Sequence, residues 1–503
     1  MRKLLSFALV SFAFFPQATA AQITQQEYAA RRTRLAAKMD STSGGKDWTL
    51  YVSGAREPAH DYESFYQNPR LDYLTGFHEP DAALVMRRRS AAVREILFVQ
   101  PREPDREVWT GKRLGPLGVQ GALGMEGRDE RQLVAALDTI VGRDSTLYVA
   151  GDLNDADSTL TNDDVLVRRL KRTHSALRGI AANRVVDDLR RLKSPAELDL
   201  IRKAVAITVD AQHAAFQLVR PGINEFEVQA LIEYTFRKNG ADRPSFSTIV
   251  GSGPNSTALH YNADDRFIDP GDVVVMDIGA SYRGYAADVT RTVPANGTFS
   301  PAQREIYQAV RDAQAAGERQ ATLGNDSRRM SDSATKSIST ALARFGLIEG
   351  ADSTYDCSDD GATHCMQYRL YYMHGLGHPI GLEVHDVGLP GRPAGRLGVG
   401  DVFTIEPGIY VRGNLIDIIP DTPRNRRIKG HIRTAVARYA NIGVRIEDDY
   451  IMTDNGVEWI STAPRELEDV EALMKTAPAN MIRRDSTKVE WYRLTSPRGS
   501  YAP

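Results

Sequence analysis

Two aspartates eleven residues apart stand in an otherwise apolar part of the sequence. Asp277 interrupts the apolar run 273–278, and Asp288 follows residues 281–284, which have the composition of a hairpin turn. If the chain folds back midway between them, the two carboxylates face each other on one side of a β-hairpin, with Cβ atoms about 5 Å apart. Like charges at that distance repel unless cations lie between them. The spacing predicts a cation site, although either aspartate alone is more often a turn residue at a strand end.

Three histidines follow within twelve residues, in a chain that has ten histidines in all. They are His374, His378 and His385, and the glycines between them disfavour a helix and indicate backbone that passes close to a site. A single histidine in such a loop is more often a structural residue with a hydrogen-bonded ring. The cluster of three therefore indicates a site more strongly than any one of them.

Two glutamates complete a set of metal-binding residue types. Glu406 ends a β-like run, and Glu447 shares one face of an alternating segment with Arg445. With Asp277, Asp288 and the clustered histidines they make four carboxylates and several imidazoles, hard ligands that suit Mn²⁺ better than a thiol-binding metal. Zn²⁺ and Co²⁺ are alternatives. Four negative charges balance two divalent cations.

The order of five residues resembles that of the pita-bread metallopeptidases, the family of methionine aminopeptidase, aminopeptidase P and prolidase. These residues are Asp277, Asp288, His378, Glu406 and Glu447. The resemblance is strong over residues 185–475 and looser over residues 65–115, which are similar to the N-terminal domain of aminopeptidase P and prolidase. Single motifs of this kind are weak evidence, whereas five ligands in order with their contexts are specific. The segments that carry the resemblance are 73–77, 79–81, 248–253, 259–261, 277–279, 288–292, 374–388, 406–410 and 443–449.

The resemblance implies two adjacent divalent metal ions, which together lower the pKa of a water between them. Asp288 and Glu447 would bridge the two ions. Asp277 would serve one of them, and His378 with Glu406 the other.

The resemblance also implies roles for the residues around the metals. Glu406 would relay a proton, His385 would bind the scissile carbonyl, His374 would line the proline side of the pocket, and His260 would lie near the leaving group. These donors stabilise developing negative charge. Arg445 would orient the carboxylates.

The function implied is that of an aminopeptidase with two metal ions, which releases the first residue from peptides that have proline second; the start of the chain predicts that it is exported. An Xaa-Pro dipeptidase such as prolidase is the nearest alternative, because it uses the same ligands. A non-catalytic, peptidase-like binding module is an alternative of another class, because a fold alone does not determine function. Methionine aminopeptidase lacks the additional N-terminal domain. We also expect a homo-oligomer, either a dimer or a tetramer.

The start of the chain has the three parts of a secretory signal peptide. Arg2 and Lys3 precede the apolar residues 4–15, and Ala18 and Ala20 form a small-residue cleavage site. Twelve apolar residues fall short of the ~20 that span a bilayer. We expect cleavage after Ala20 and a mature protein in the periplasm or outside the cell, without stable membrane insertion.

The composition of all 503 residues is that of a globular protein with two or three domains. Lys and Arg number 63 and Asp and Glu 65, so the formal charge is −2. This balance lacks the basic excess of a nucleic-acid-binding protein. Export favours a disulfide between the two cysteines, Cys357 and Cys365.

The elements that must position the site divide the chain near residue 189. Residues 22–188 mix short β-rich runs with helices and predict an α/β domain, creatinase-like by the resemblance. Ser194, Pro195 and Glu197 form a capping box that starts a helix at the head of the second domain, residues 189–475. That domain alternates helices with antiparallel strands, so we predict an α+β pita-bread fold.

Two further segments are predicted from the sequence. Residues 411–440 form an insertion, expected to be a solvated surface loop, with a lid or a subunit contact as the alternative. Its Arg412, Arg424 and Arg433 are candidate partners for the carboxylate of a dipeptide. Residues 476–503 are polar and basic, and we expect a poorly ordered tail.

Overall fold

The computed structural model describes residues 22–60, 63–142, 145–154, 159–388, 395–476 and 486–495. The predicted signal peptide, residues 1–20, lies outside the described residues. No helix in the described part of the chain combines the length and the apolar character needed to cross a membrane.

The N-terminal region is built on a six-stranded sheet with the order β4-β3-β2-β1-β5-β6. Strands β1, β2 and β3 pair antiparallel, whereas β4, β5 and β6 are added in parallel. Helices cover both faces, so this region is α/β. Its strands are β1 (Trp48–Ser53), β2 (Ala83–Arg89), β3 (Ala92–Val99), β4 (Glu126–Asp129), β5 (Thr146–Ala150) and β6 (Arg178–Ala181). Its helices are α1 (Gln25–Thr42), α2 (Pro69–Thr75), α3 (Pro104–Thr110), α4 (Gly115–Leu123), α5 (Leu133–Val141), α6 (Asn162–Thr173) and α7 (Asn183–Arg190).

The C-terminal region packs long helices against small antiparallel sheets around the largest apolar core. This is the predicted α+β class. Its strands are β7 (Arg243–Pro244), β8 (Ile249–Ser252), β9 (Val273–Ile278), β10 (Ala280–Tyr282), β11 (Tyr285–Ala286), β12 (Val289–Pro294), β13 (Thr354–Asp356), β14 (His364–Met366), β15 (Val402–Ile405), β16 (Gly408–Val411), β17 (Ile442–Arg445), β18 (Asp448–Thr453) and β19 (Gly456–Trp459). Its helices are α8 (Pro195–Leu218), α9 (Glu225–Lys238), α10 (Pro301–Glu318), α11 (Arg328–Arg344), α12 (Leu415–Ile418), α13 (Pro423–Tyr439), α14 (Leu467–Met474) and α15 (Ser486–Thr495).

The predicted capping box is present at the start of α8. The Ser194 hydroxyl accepts the Glu197 backbone N–H, and the Glu197 carboxylate accepts that of Ser194. Two backbone donors that a helix leaves unpaired are thereby satisfied. The 24-residue helix that follows buries one side against the strands that carry the site.

The predicted hairpin forms, but its register differs by two residues. Asp277 on β9 pairs with Thr290 on β12, not with Asp288. The turn lies at Arg283 and Gly284, whose φ angles of 50° and 83° are those of a two-residue type I′ turn. Because side chains alternate with period two, a two-residue shift leaves Asp288 on the side of the sheet where Asp277 lies.

The expectation for residues 411–440 is wrong, because α13 makes up most of this segment. Ile428, Ile432 and Val436 recur at four-residue spacing and are fully or almost fully buried in the main core. A helix with such a stripe stays on the core rather than in solvent. The segment is a structural layer and not a surface loop or a lid.

The expectation of a poorly ordered tail is wrong for residues 486–495, which form α15. The Tyr492 ring packs edge-on against Phe226 of α9, with centroids 4.8 Å apart. Residues 477–485 and 496–503 lie outside the described residues.

The two cysteines form the predicted disulfide. Cys357 follows β13 and Cys365 lies in β14, and the bond closes the hairpin between these two strands. Asp356 connects this hairpin to the start of α13, because its carboxylate accepts the hydroxyl of Thr422.

Candidate metal centre

One cavity of about 550 Å³ brings together every side chain that the sequence assigns to the site. The lining includes both predicted aspartates, both glutamates, all three clustered histidines, and the two residues assigned to the surroundings of the metals. These residues are His260, Asp277, Asp288, His374, His378, His385, Glu406, Arg445 and Glu447. The rest of the lining is mostly apolar, with Phe246, Ile249, Leu259 and Val384 among its members.

Strand ends and strand connections place the four carboxylates in this cavity. Asp277 lies on β9, the middle strand of its sheet, and Asp288 directly precedes β12. Glu406 follows β15, and Glu447 lies between β17 and β18. The carboxylates therefore sit on backbone that several sheets hold in position, which is the arrangement a preorganised site requires.

His378 lies among the carboxylates with one ring nitrogen toward them. Its Nε2 is 3.4 Å from Asp288 Oδ2, 3.7 Å from Glu406 Oε1 and 3.8 Å from Glu447 Oε1. Its Nδ1 is 3.2 Å from the carbonyl oxygen of Pro379. Because a carbonyl only accepts, Nδ1 carries the proton and Nε2 is left with a free lone pair for a cation.

Several buried oxygens in the cavity have no protein partner. Asp277 Oδ1, Asp288 Oδ1 and Glu447 Oε1 are inaccessible to solvent and accept no hydrogen bond from the described residues. Unpaired buried polar atoms are costly, so such atoms indicate a missing ligand. Ligand atoms of Asp288, His378 and Glu447 all lie within 4.8 Å of one another, a spacing that a bound metal ion would bridge.

The electrostatics of the site favour cations. Burial and then the charge of Asp277 raise the pKa of Glu447 to about 8. Burial and then the charge of Glu447 raise the pKa values of Asp288 and Glu406 well above their ordinary range. Burial and then His385 lower the pKa of His378 to about 4, so its ring is neutral. Crowded carboxylates beside a neutral imidazole fit divalent metal ions.

Arg445 lies between two of the carboxylates and orders them. Its Nη2 donates to Asp277 Oδ2 at 2.5 Å, and its Nε donates to Thr290 Oγ1 at 3.1 Å. The Thr290 hydroxyl in turn donates to Glu447 Oε2 at 2.6 Å. Thr290, for which the sequence predicted no role, lies directly opposite Asp277 in the observed register.

A second branch from Arg445 leads to His374. Arg445 Nη1 donates to the Tyr410 hydroxyl at 3.0 Å, and that hydroxyl lies 2.8 Å from His374 Nε2. His374 Nδ1 is 2.8 Å from the Gly375 carbonyl and carries the proton, so Nε2 accepts from Tyr410. Burial and then Arg445 lower the pKa of His374 to about 4. Its ring is therefore neutral at physiological pH.

The two remaining histidines of the cavity, His260 and His385, are exposed to solvent. The His385 ring is 4.0 Å from that of His378, measured between centroids. Burial and then the charge of His260 lower the pKa of His385. A neutral His385 can donate one N–H to a carbonyl oxygen in the cavity.

Two family models match the chain. The model described as metallopeptidase family M24 matches residues 199–454, and the model of the aminopeptidase P N-terminal domain matches residues 28–148. The Xaa-Pro aminopeptidase of Haemophilus influenzae is 33% identical over 465 residues, which cover 90% of this chain and 98% of that protein. The Xaa-Pro aminopeptidase of Escherichia coli K12 is 33% identical over 470 residues, covering 91% and 99%.

Solved structures are similar over the same extent. Aminopeptidase P from E. coli in its low-pH form superposes with a TM-score of 0.77 at 30% identity, covering 91% of this chain and 100% of that one. Aminopeptidase PepP from Pseudomonas aeruginosa superposes with a TM-score of 0.76 at 32% identity, covering 92% and 100%.

Proposed function

The chain belongs to metallopeptidase family M24, and from that premise we propose that it removes the first residue from peptides whose second residue is proline. The family match and the similar structures confirm the predicted resemblance, the pita-bread fold and the metallo-aminopeptidase class. The observation that carries the proposal is the single cavity in which all nine predicted site residues meet.

We propose two divalent cations, Mn²⁺ first, with Zn²⁺ and Co²⁺ as alternatives, held by the five predicted ligands. Asp288 and Glu447 would be shared, Asp277 would complete one coordination sphere, and His378 with Glu406 the other. The unpaired oxygens and the free His378 Nε2 support this set. When bound, the cations would neutralise the carboxylates and lower the pKa of a water molecule.

The residues of the chain would carry out the proton transfers of hydrolysis. A water oxygen adds to the carbonyl carbon before proline, and Glu406 accepts the proton that this water loses. Glu406 lines the cavity beside His378, a position from which its carboxylate can hold that proton and return it. The C–N bond then breaks, the proline nitrogen takes the proton, and the carbonyl becomes the carboxyl of the released residue. His385 would donate a hydrogen bond to the carbonyl oxygen as negative charge develops there.

The dipeptidase alternative needs a cation that recognises a free carboxylate beside the site. Arg412, Arg424 and Arg433 of the 411–440 segment are absent from the cavity lining, and Arg424 donates instead to the Thr354 carbonyl. Arg445 is the one Lys or Arg among the described residues that line the cavity, and its hydrogen bonds are already made. This arrangement favours longer peptides over dipeptides.

We also propose export and self-association for the mature protein. The signal-peptide pattern and the Cys357–Cys365 disulfide support an oxidising compartment, either the periplasm or the exterior. Val108 and Trp109 on α3 are 80% and 78% exposed, and apolar side chains of this size support a subunit contact. Protein sequencing of the mature N-terminus tests export, and light scattering tests the dimer or tetramer.

The central experiment compares peptides on the mature, Mn²⁺-loaded enzyme. We expect Arg-Pro-Pro to yield free arginine and Pro-Pro, Gly-Pro to react more slowly, and Arg-Ala-Ala to remain intact. Metal analysis of the same sample should find two ions per chain. Faster cleavage of Gly-Pro would establish the dipeptidase. Two bound ions without hydrolysis of any peptide would establish the binding module.

A further inference from the structure

A buried cluster of charges adjoins the histidine segment, residues 374–385, and lies outside the cavity lining. Asp386 follows His385, and its Oδ1 is 2.5 Å from Arg190 Nη2 while its Oδ2 is 2.9 Å from Lys193 Nζ. All three side chains are at most 2% exposed. Removing one partner from such a cluster leaves an uncompensated buried charge, so the three residues depend on one another.

Both cations come from the junction between the N-terminal and C-terminal regions. Arg190 ends α7, and Lys193 lies just before α8. Arg190 also reaches Glu383 at 2.9 Å and Asp187 at 3.5 Å, and Asp187 accepts two hydrogen bonds from Arg70 of α2. A continuous chain of ion pairs therefore connects the N-terminal region to the segment that carries the histidines.

From Asp386 the connection continues through the backbone to a metal ligand. The Asp386 N–H donates to the Pro379 carbonyl at 2.9 Å. The same carbonyl accepts the Nδ1 proton of His378, the contact that directs His378 Nε2 toward the carboxylates. The position of Asp386 therefore affects the orientation of His378. Asp386 is also the next residue in the chain after His385, so its position affects the His385 backbone as well.

Close packing leaves Asp386 little freedom. A Cβ on Gly381 would lie 1.9 Å from Asp386 Oδ2, so only glycine fits at this position. The Gly381 carbonyl accepts the N–H of Ala286, in the hairpin that leads to Asp288. Gly381, which packs against Asp386, therefore also contacts the backbone that leads to Asp288.

We propose that Asp386 is a positioning residue for His378 and His385, and that Arg190 and Lys193 hold it from the domain junction. The N-terminal region thereby completes the metal site without contributing a residue to the cavity lining. This inference rests on the proposed peptidase function where the test measures kcat. It also predicts that Asp386 raises the affinity for metal, which is measured without substrate.

The test replaces each charge and measures the full mature chain. In Asp386→Asn we expect kcat for Arg-Pro-Pro and the affinity for Mn²⁺ each to fall about 10- to 100-fold, as for other outer partners of metal ligands, while KM changes less than about 3-fold. Arg190→Met should lose kcat in the same way, and Arg190→Lys, which keeps the charge, should recover most of it. Mn²⁺ affinity is measured by isothermal titration.

The matched control is Lys38→Met. Lys38 of α1 pairs at 2.6 Å with Asp188 of α7, the helix that Arg190 ends, but the two side chains are 32% and 47% exposed. Exposed pairs contribute little, so kcat and Mn²⁺ affinity should match those of the wild type.

The proposal is overturned if Asp386→Asn folds and keeps both kcat and Mn²⁺ affinity. If Asp386→Asn does not fold, the two Arg190 variants decide. Equal kcat in Arg190→Met and Arg190→Lys, with only a lower melting temperature in the former, would show a merely structural cluster. A wild type that binds Mn²⁺ but cleaves no peptide would refute the proposed function alone, and the affinity measurements would still test positioning.

Discussion

Two neighbouring residues, Glu447 and Asp448, belong to buried clusters whose charges are balanced in opposite ways. Glu447 faces the cavity, where burial and the charge of Asp277 raise its pKa to about 8. Asp448 faces away from the cavity, and Arg291 and Arg465 lie 2.6 and 2.9 Å from its two oxygens. These arginines lower the pKa of Asp448 although burial acts in the other direction.

The difference separates a structural cluster from a functional one. The Asp448 carboxylate is fully paired, since a Ser461 hydroxyl and the Gln314 amide supply two further hydrogen bonds. The Glu447 cluster leaves carboxylate oxygens unpaired beside the free Nε2 of His378, an arrangement that suits a positively charged ligand from outside the chain. Consecutive residues point to opposite sides of an extended backbone, so adjacent positions enter two different environments.

The largest expected effect comes from removing a charge at the Glu447 cluster. Asp288→Asn should lower kcat/KM for Arg-Pro-Pro by about 10⁴-fold, or about 5 kcal/mol, because the amide is a poor ligand for a divalent cation. The same change should leave the metal-free protein as stable as the wild type or more so, since it removes repulsion among buried carboxylates. Steady-state kinetics and urea unfolding in EDTA measure the two quantities.

The opposite pattern would contradict the assignment of this cluster. An Asp288→Asn protein that is strongly destabilised without metal, yet retains wild-type turnover, would place Asp288 in a structural role.

A smaller effect is expected from breaking the Asp448 cluster. Arg465→Met removes one of the two cations at Asp448 and should lower the free energy of unfolding by about 3 kcal/mol. Arg465 donates its hydrogen bonds to residues outside the cavity lining. The kcat of the folded enzyme should therefore change less than about 3-fold. Urea unfolding of the metal-loaded protein gives the first quantity.

The control for this variant is Arg202→Met, which breaks an ion pair with Glu458. Those side chains are 38% and 41% exposed, so the loss should stay below about 1 kcal/mol. Equal losses of unfolding free energy in both variants would show that burial of the Asp448 cluster adds nothing to the stability of the protein.

The sequence predicted the site better than the contacts that support it. Nine residues meet in the cavity as expected, because their types indicated a cation site and the resemblance to the pita-bread metallopeptidases implied which of them belong to it. The hairpin register was wrong because a two-residue shift changes neither the alternation nor the face, and the decisive turn residue, Arg283, is not one that favours positive φ. The predicted register paired Asp277 with Asp288, so it gave no reason to expect Thr290 at the site.

Contacts between distant residues were also beyond sequence reasoning. Arg190 and Asp386 are 196 positions apart, and nothing in either local pattern shows the pairing. In α13 the buried residues Ile428, Ile432 and Val436 are separated by basic side chains, so the composition indicated a solvated loop while the four-residue spacing indicated a helix.

The smallest expected effect, counted per pH unit, is that of pH on stability, and its sign should depend on metal. Without metal, folded Glu447 keeps its proton up to a pKa of about 8, above the ordinary value of 4.5, so the folded state binds more protons between these values. Stability in EDTA should therefore fall between pH 5 and 8 by about 1 kcal/mol per unit. With Mn²⁺, protons compete with the cation, and stability should rise instead.

The lowered pKa of Asp448 makes no contribution over this range, because that group loses its stabilising effect only below its ordinary pKa of 3.8. The slope in EDTA combines the cavity carboxylates with other buried carboxyls such as Asp264, whose pKa burial raises to about 7, so the contribution of Glu447 is the amount by which Glu447→Gln reduces the slope. Urea unfolding at pH 5, 6, 7 and 8, with and without Mn²⁺, provides the data. Slopes of the same sign in both conditions would mean that bound cations do not replace protons on these carboxylates, and the contrast between the two clusters would then lie in geometry alone.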